Sequence, residues 1–397
     1  MRAGIQPGDW GHSQARCSLS PENLGAAILD SVPVGSKNSS GKRLLKSPLL
    51  RILFACVATL IVMAAIGIYE GVFLGREVLA EGPPESGIYF RWRTAVLTSC
   101  AGLIVFMIQR TSDIGPKPNF DHIGVKMRKA ILACAASGIV FSILFLLSPK
   151  AFSYISVEDR IVEWASAAAL FLGCAFALWA SARAYAAHSK IEAITVFGFA
   201  GLLFLIGMEE ISWLQRVIGY PTPYWLSGYH QGEANIHNVM TSLSENAYYL
   251  GAFCFLIALP FANDSLRLIS HPAWLVRLLP TRKSALVAAP MAGFTWDMWN
   301  IIPIQMSVIL TVFVLIGYAA AAARYGDPAR TIVLITLMAT LLPLVVFLCF
   351  GDALERKWET TEYKEMFIAF GLLSVALAMA FASRSGSKVE SIIRSGS

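Results

Sequence analysis

The chain has 397 residues, of which 56% are apolar and only 15% charged, well short of the roughly 25% charged residues of an ordinary soluble domain. Its 32 basic and 26 acidic residues leave a net charge of +6. The basic residues fall in short segments between apolar runs, where they set membrane topology rather than contact nucleic acid, so a soluble domain and a nucleic-acid-binding protein are both excluded.

Residues 1–47 are polar, rich in Gly and Ser, and end in the basic stretch "SKNSSGKRLLKS". They read as a disordered cytoplasmic segment. No short apolar stretch with a small-residue cleavage site precedes the first span, so no cleavable signal peptide is expected. Residues 48–383 then read as one transmembrane helical domain, and 384–397 as a short basic cytoplasmic tail.

Clear apolar spans are expected at 49–72, 93–108, 130–147, 161–185, 191–208, 246–261, 301–322, 332–350 and 366–381. Their lengths approach the ~20 residues that cross a bilayer core. The runs are continuous rather than alternating, so the fold class is all-α, a polytopic helix bundle and not a barrel. Six of the seven cysteines lie inside these runs with no CxxC pair and read as small packing residues.

A tenth segment, 285–299, is short and carries Pro290, Gly293 and Asp297. Broken helices are tolerated at membrane depth only where protein or water covers the backbone, so this segment is expected either to cross or to re-enter. Charge favours crossing. Lys37, Lys42, Arg43, Lys46 and Arg51 hold the N-terminus inside, and only ten crossings bring Arg384, Lys388 and Arg394 to the same side. Both termini are then expected to be cytoplasmic, and the expected localisation is a bacterial inner membrane.

That topology gathers the acidic motifs on the outer face: "SVEDRIVEW" (156–164), "EEISWLQR" (209–216), "HQGEANIHN" (230–238), "TWDMW" (295–299) and "GDALERKWETTEYKE" (351–365). Glu233 and His237 are four residues apart and share one helix face. A carboxylate and an imidazole so placed bind a metal or hold a His tautomer for acid–base work. Glu209 and Glu210 add oxygen ligands from the facing helix end. The candidate catalytic residues, and equally the candidate metal ligands, are therefore Glu209, Glu210, Glu233 and His237. The ion such a set suits is a divalent metal such as iron, manganese or zinc.

The plainer reading is structural: acids in a first helical turn cap the helix, and His237 and Asn235 satisfy loop backbone. Glu158 and Asp159 fit capping, while Glu163 lies one turn deeper. Glu362 and Glu365 belong to a mixed-sign run that reads mainly as a solvated face of local ion pairs, with a place facing the cluster as the alternative, and Asp297 reads equally as a membrane-interface anchor or as a further acid on the same face. Adjacent residues on a helix point about 100° apart, so Glu209 and Glu210 are expected to take different partners. P-loop, GxSxG, HExxH and HxxxH motifs are all absent.

The pattern "EEISWLQR…TP…QGEANIHN", preceded by "EDRIVEW", resembles a group of bacterial multi-pass membrane proteins of unassigned function. It covers roughly residues 156–246 and implies membership without implying an activity. Three functions remain open. One is an enzyme acting at the outer face on a lipid or envelope substrate. The second is a proton-coupled transporter using the same acids as a relay. The third is a scaffold whose acids only fix helix ends. Membrane lipids are the expected partners, and nucleic acid is not one.

Overall fold

The computed structural model describes residues 48–112, 123–157, 160–222, 224, 241–266, 275 and 278–381. The N-terminal segment, the C-terminal tail, Glu158, Asp159, Glu233 and His237 lie outside the described residues. Among the described residues every regular element is helical.

In chain order these are α1 (Pro48–Ile68), continued by a π turn at Tyr69–Phe73, α2 (Ile88–Ser112), α3 (Val125–Leu147), the short α4 (Pro149–Ile155), α5 (Ile161–Ala186) and α6 (Lys190–Glu210). A 3₁₀ turn at Ser212–Leu214 and the single-turn α7 (Gln215–Ile218) follow. Next come α8 (Thr241–Phe253), joined through a π turn at Cys254–Ala258 to α9 (Leu259–Leu266), then α10 (Arg282–Ala288) with a 3₁₀ turn at Ala289–Gly293. The last three are α11 (Ile302–Tyr325), α12 (Arg330–Phe350) and α13 (Glu359–Phe381).

Nine helical segments among the described residues are long and apolar enough to cross a membrane. Their outward faces are apolar as well: Phe54, Leu147 and Ile194 are 74%, 80% and 71% exposed. In water such surfaces would drive aggregation, whereas in lipid they meet a matching solvent. The protein is an integral, multi-pass membrane protein.

Four spans begin well before their apolar runs. The second begins at Ile88 rather than residue 93, the third at Val125 rather than 130, the sixth at Thr241 rather than 246, and the last at Glu359 rather than 366. The turns added at 241–245 and 359–365 are mostly polar, and protein groups hold several of their side chains, as at Glu245 and Glu359. Arg93, at the start of the second apolar run, is held in the same way. Its Nη1 donates to Glu70 Oε1 at 2.8 Å and to the Asn300 carbonyl at 3.1 Å, and Tyr89 Oη donates to the same Glu70 oxygen at 3.0 Å. Both charged side chains are almost wholly buried.

The tenth segment runs the length of the bundle. Arg282, at its start, pairs with Asp327 at 2.7 Å, just beyond the C-terminus of α11. Asp297, near its end, accepts from Thr360 at the start of α13 and, through its carbonyl, from the Gly82 amide at 2.7 Å. Ile301 then enters α11 from the opposite end. A helix of 24 residues is about 36 Å long, and residues 282–301 retrace that length antiparallel to it. The described helical unit consequently starts and finishes at the same end.

This broken segment is the core rather than a lid. Phe294, fully buried, packs its ring against Tyr363, Phe347 and Phe367 with centroids 5.4–5.5 Å apart. Phe152 stacks on the other side of Tyr363 at 4.3 Å. Gly293 makes the fit possible: a Cβ there would lie 2.4 Å from Pro343 Cγ and 2.7 Å from the Thr340 carbonyl oxygen. Pro343 sits inside α12, where its ring removes one helical hydrogen bond.

Candidate functional site

α6 ends at Glu210, and the chain turns at once. Ser212, Trp213 and Leu214 all adopt left-handed φ angles of 46°, 53° and 64°. Each costs an L-residue of this kind about 1–2 kcal/mol. The turn folds Trp213 back so that its indole Nε1 donates to Glu209 Oε1 at 2.6 Å. Tyr220 Oη braces the same turn by donating to the Trp213 carbonyl at 3.1 Å.

Glu210 faces another way. Its carboxyl hydrogen-bonds that of Glu365 on α13, with Glu362 and Glu163 as further electrostatic neighbours. Tyr249 of α8 donates to Glu365 Oε1 at 2.5 Å. A hydrogen bond between two carboxyl groups needs a proton on one of them, because two adjacent carboxylates repel.

A second pair of the same kind lies nearby. Glu245, one turn before Tyr249 on α8, hydrogen-bonds Glu81 of the loop between α1 and α2. That loop is laid across the end of the tenth segment by three backbone and amide bonds: Gly82 N–H to the Asp297 carbonyl, Asn300 Nδ2 to the Pro83 carbonyl at 2.6 Å, and Glu85 N–H to Asn300 Oδ1 at 3.3 Å. Arg76 of the loop pairs with Glu85, whose hydrogen bond raises the guanidinium's pKa further and keeps it charged.

Between the two carboxyl pairs lies Lys364, 4% exposed. Its ammonium group rests 4.2 Å over the Tyr249 ring. Asp297 is its foremost electrostatic partner, followed by Glu365, Glu245 and Glu81. Asp297 itself is 1% exposed. One of its carboxylate oxygens accepts from Thr360 Oγ1 at 3.0 Å and from the Met298 amide at 3.1 Å. Glu359, buried one turn earlier on α13, caps the helix through the Arg356 amide at 2.9 Å, and Arg356 in turn holds the Ser153 carbonyl at 2.9 Å.

The acids of α5, α6, α8, α13, the tenth segment and the first loop thus meet at one end of the bundle. Of the residues the sequence singles out, Glu210, Glu163, Glu362, Glu365 and Asp297 stand in this cluster, while Glu209 takes a different partner, the Trp213 indole of its own turn. Glu233 and His237 lie outside the described residues. Among the described residues no three His, Cys, Asp or Glu side chains form a metal-holding group. Sequence reasoning passed over Glu81, Glu245, Tyr248, Tyr249 and Lys364. A helical reading from Thr241 would have placed Glu245, Tyr248 and Tyr249 on one face, since they are spaced three and four apart.

No protein-family model matches the chain, and no curated protein or solved structure does.

Proposed function

We propose that the protein is an enzyme of the bacterial inner membrane that works by acid–base chemistry on a lipid or lipid-linked envelope substrate at the outer face. The observation that carries this reading is the hydrogen bond between Glu210 and Glu365, with Tyr249 donating to the second carboxyl. Two carboxyl groups that share a proton supply a general acid and a general base at one place. Both side chains are only partly buried.

The distribution of buried charge supports an enzyme over a transporter. Among the described residues the buried ionic side chains are Glu70, Arg93, Asp297, Glu359 and Lys364 at the acidic end and Arg282 at the other. A proton relay across the bundle needs such groups along the whole path. The end opposite the acids carries Lys126, Arg128, Arg183, Lys190, Arg282 and Arg330. By the positive-inside rule it faces the cytoplasm, together with both termini. The "EEISWLQR…QGEANIHN" pattern supports the bacterial setting.

The test is lipid and envelope-precursor profiling of cells that lack the protein, complemented with the wild-type chain, Glu210→Gln or Glu365→Gln. A compound class that accumulates in the deletion is expected to clear with the wild type and to persist with either variant, while both variants accumulate as folded protein. Full clearance by both variants overturns the reading.

A further inference from the structure

Two complementary atoms at the centre of the acidic end are left without partners. Lys364 Nζ makes no hydrogen bond and no ion pair, and Asp297 Oδ2 accepts none. Buried polar groups are almost always bonded, and these two belong to residues 4% and 1% exposed. They interact electrostatically yet stand too far apart for a direct ion pair. Thr360 and Lys364, one turn apart on α13, lie on the same helix face. Thr360 holds the other Asp297 oxygen at 3.0 Å, one helical turn from Lys364. Tyr248 Oη and Asn246 Oδ1 of α8 are also unpartnered, and Tyr248 is an electrostatic neighbour of Glu210 and Glu365.

Charge narrows what fits between them. An anion would face Asp297, Glu245, Glu81 and Glu365. A second cation would face the Lys364 ammonium already seated on the Tyr249 ring. A neutral hydroxyl donates to Asp297 Oδ2 and accepts from Lys364 Nζ at once. The unpartnered Tyr248 hydroxyl, beside the Glu210–Glu365 pair, calls for a further hydroxyl, and the Tyr248 and Tyr249 rings, 5.5 Å apart, offer an apolar face beside it.

We propose that the acidic end binds a neutral polyhydroxyl unit, a sugar or glycerol, one hydroxyl of which bridges Lys364 and Asp297. This deepens the enzymatic reading and rests on it for the unit's role as the headgroup of the substrate. Because the cluster lies at the end of lipid-facing helices, the unit is carried on an acyl chain.

The experiment uses the full chain in phosphatidylcholine nanodiscs, with thermal unfolding followed by tryptophan fluorescence. Octyl glucoside below its micellar concentration is compared with octylamine, octyl phosphate and methyl glucoside. A ligand that binds the folded state raises the melting temperature in a saturable way. Octyl glucoside is expected to do so, and the two charged octyl compounds are not. The response should disappear in Asp297→Asn and Lys364→Gln. It should weaken severalfold in Tyr248→Phe, which removes only an unbonded hydroxyl and so retains the fold.

Equal shifts from all three octyl compounds, no shift at all, or a glucoside response untouched by the three substitutions would overturn the proposal; in the last two cases the gap holds water only. A response to methyl glucoside as strong as that to octyl glucoside supports the hydroxyl site, with free sugar as its source. The two readings separate cleanly. Loss of function in Glu210→Gln without any glucoside binding sinks the headgroup assignment alone. Glucoside binding with a fully active Glu210→Gln sinks the catalytic reading alone.

Discussion

The Glu70–Arg93 pair shows how a single residue is tolerated at membrane depth. The π turn at Tyr69–Phe73 widens the end of α1 and presents Glu70 inward to Tyr89 and Arg93, and Arg93 also donates to the Asn300 carbonyl. Arg93 also packs its guanidinium 4.9 Å from the centre of the Phe90 ring. Removing one partner of such a buried pair strands the other charge. Glu70→Gln is therefore expected to destabilise the protein by about 3–5 kcal/mol, read as a fall in melting temperature in detergent. The double replacement Glu70→Leu with Arg93→Met should recover most of that loss, because it removes both desolvated charges. A double variant no better than the single would show that the pair holds the helices in register rather than merely compensating charge.

At the scale of the element, the broken tenth segment is what organises the bundle. Pro290 and Gly293 are poor residues for a transmembrane helix, and here they work because protein covers them on every side. Gly293 meets the backbone of α12 at Thr340 and the ring of Pro343 too closely for any side chain. Gly293→Ala is expected to cost about 1–3 kcal/mol through overpacking. Gly251→Ala, where a Cβ meets nothing within 4 Å, is the matched control in the same melting experiment and should be neutral or slightly stabilising, since alanine is the better helix former. Similar losses in both would mean that helix flexibility, not contact, is what the glycines provide. The turn after α6 makes a contrasting case: three left-handed residues store strain there, and the indole bond to Glu209 helps hold it.

For the whole molecule, the decisive feature is the separation of charge between the two ends. The Arg282–Asp327 pair marks one end, and the carboxyl cluster with Lys364 marks the other. Single cysteines placed at Glu81 and at Lys283 in a cysteine-free background are expected to label from opposite sides of the membrane with an impermeant maleimide. A reporter fused after Ser397 should share the side of Lys283. A reporter on the side opposite Lys283 would mean that the tenth segment re-enters instead of crossing, against the positions of Arg282 and Asp297, and labelling of both cysteines from one side would overturn the topology itself.

What the sequence by itself determined is the class of molecule, the spans and the end at which its acids gather. These follow from hydropathy and from the alternation of successive crossings, which need no knowledge of neighbours. It also held the reason why Glu209 and Glu210 part, because the helical angle between adjacent residues is a local property. Tertiary structure alone decided which acids meet. Glu210 finds Glu365 across more than 150 positions, and Glu245 finds Glu81, because helix rotation and the lie of a loop set those approaches. The placement of Lys364 among them is of the same kind. In the sequence it is one charge within the mixed run "ERKWETTEYKE", and only the packing of α13 against α8 and the tenth segment turns it inward, where burial makes its missing partner count.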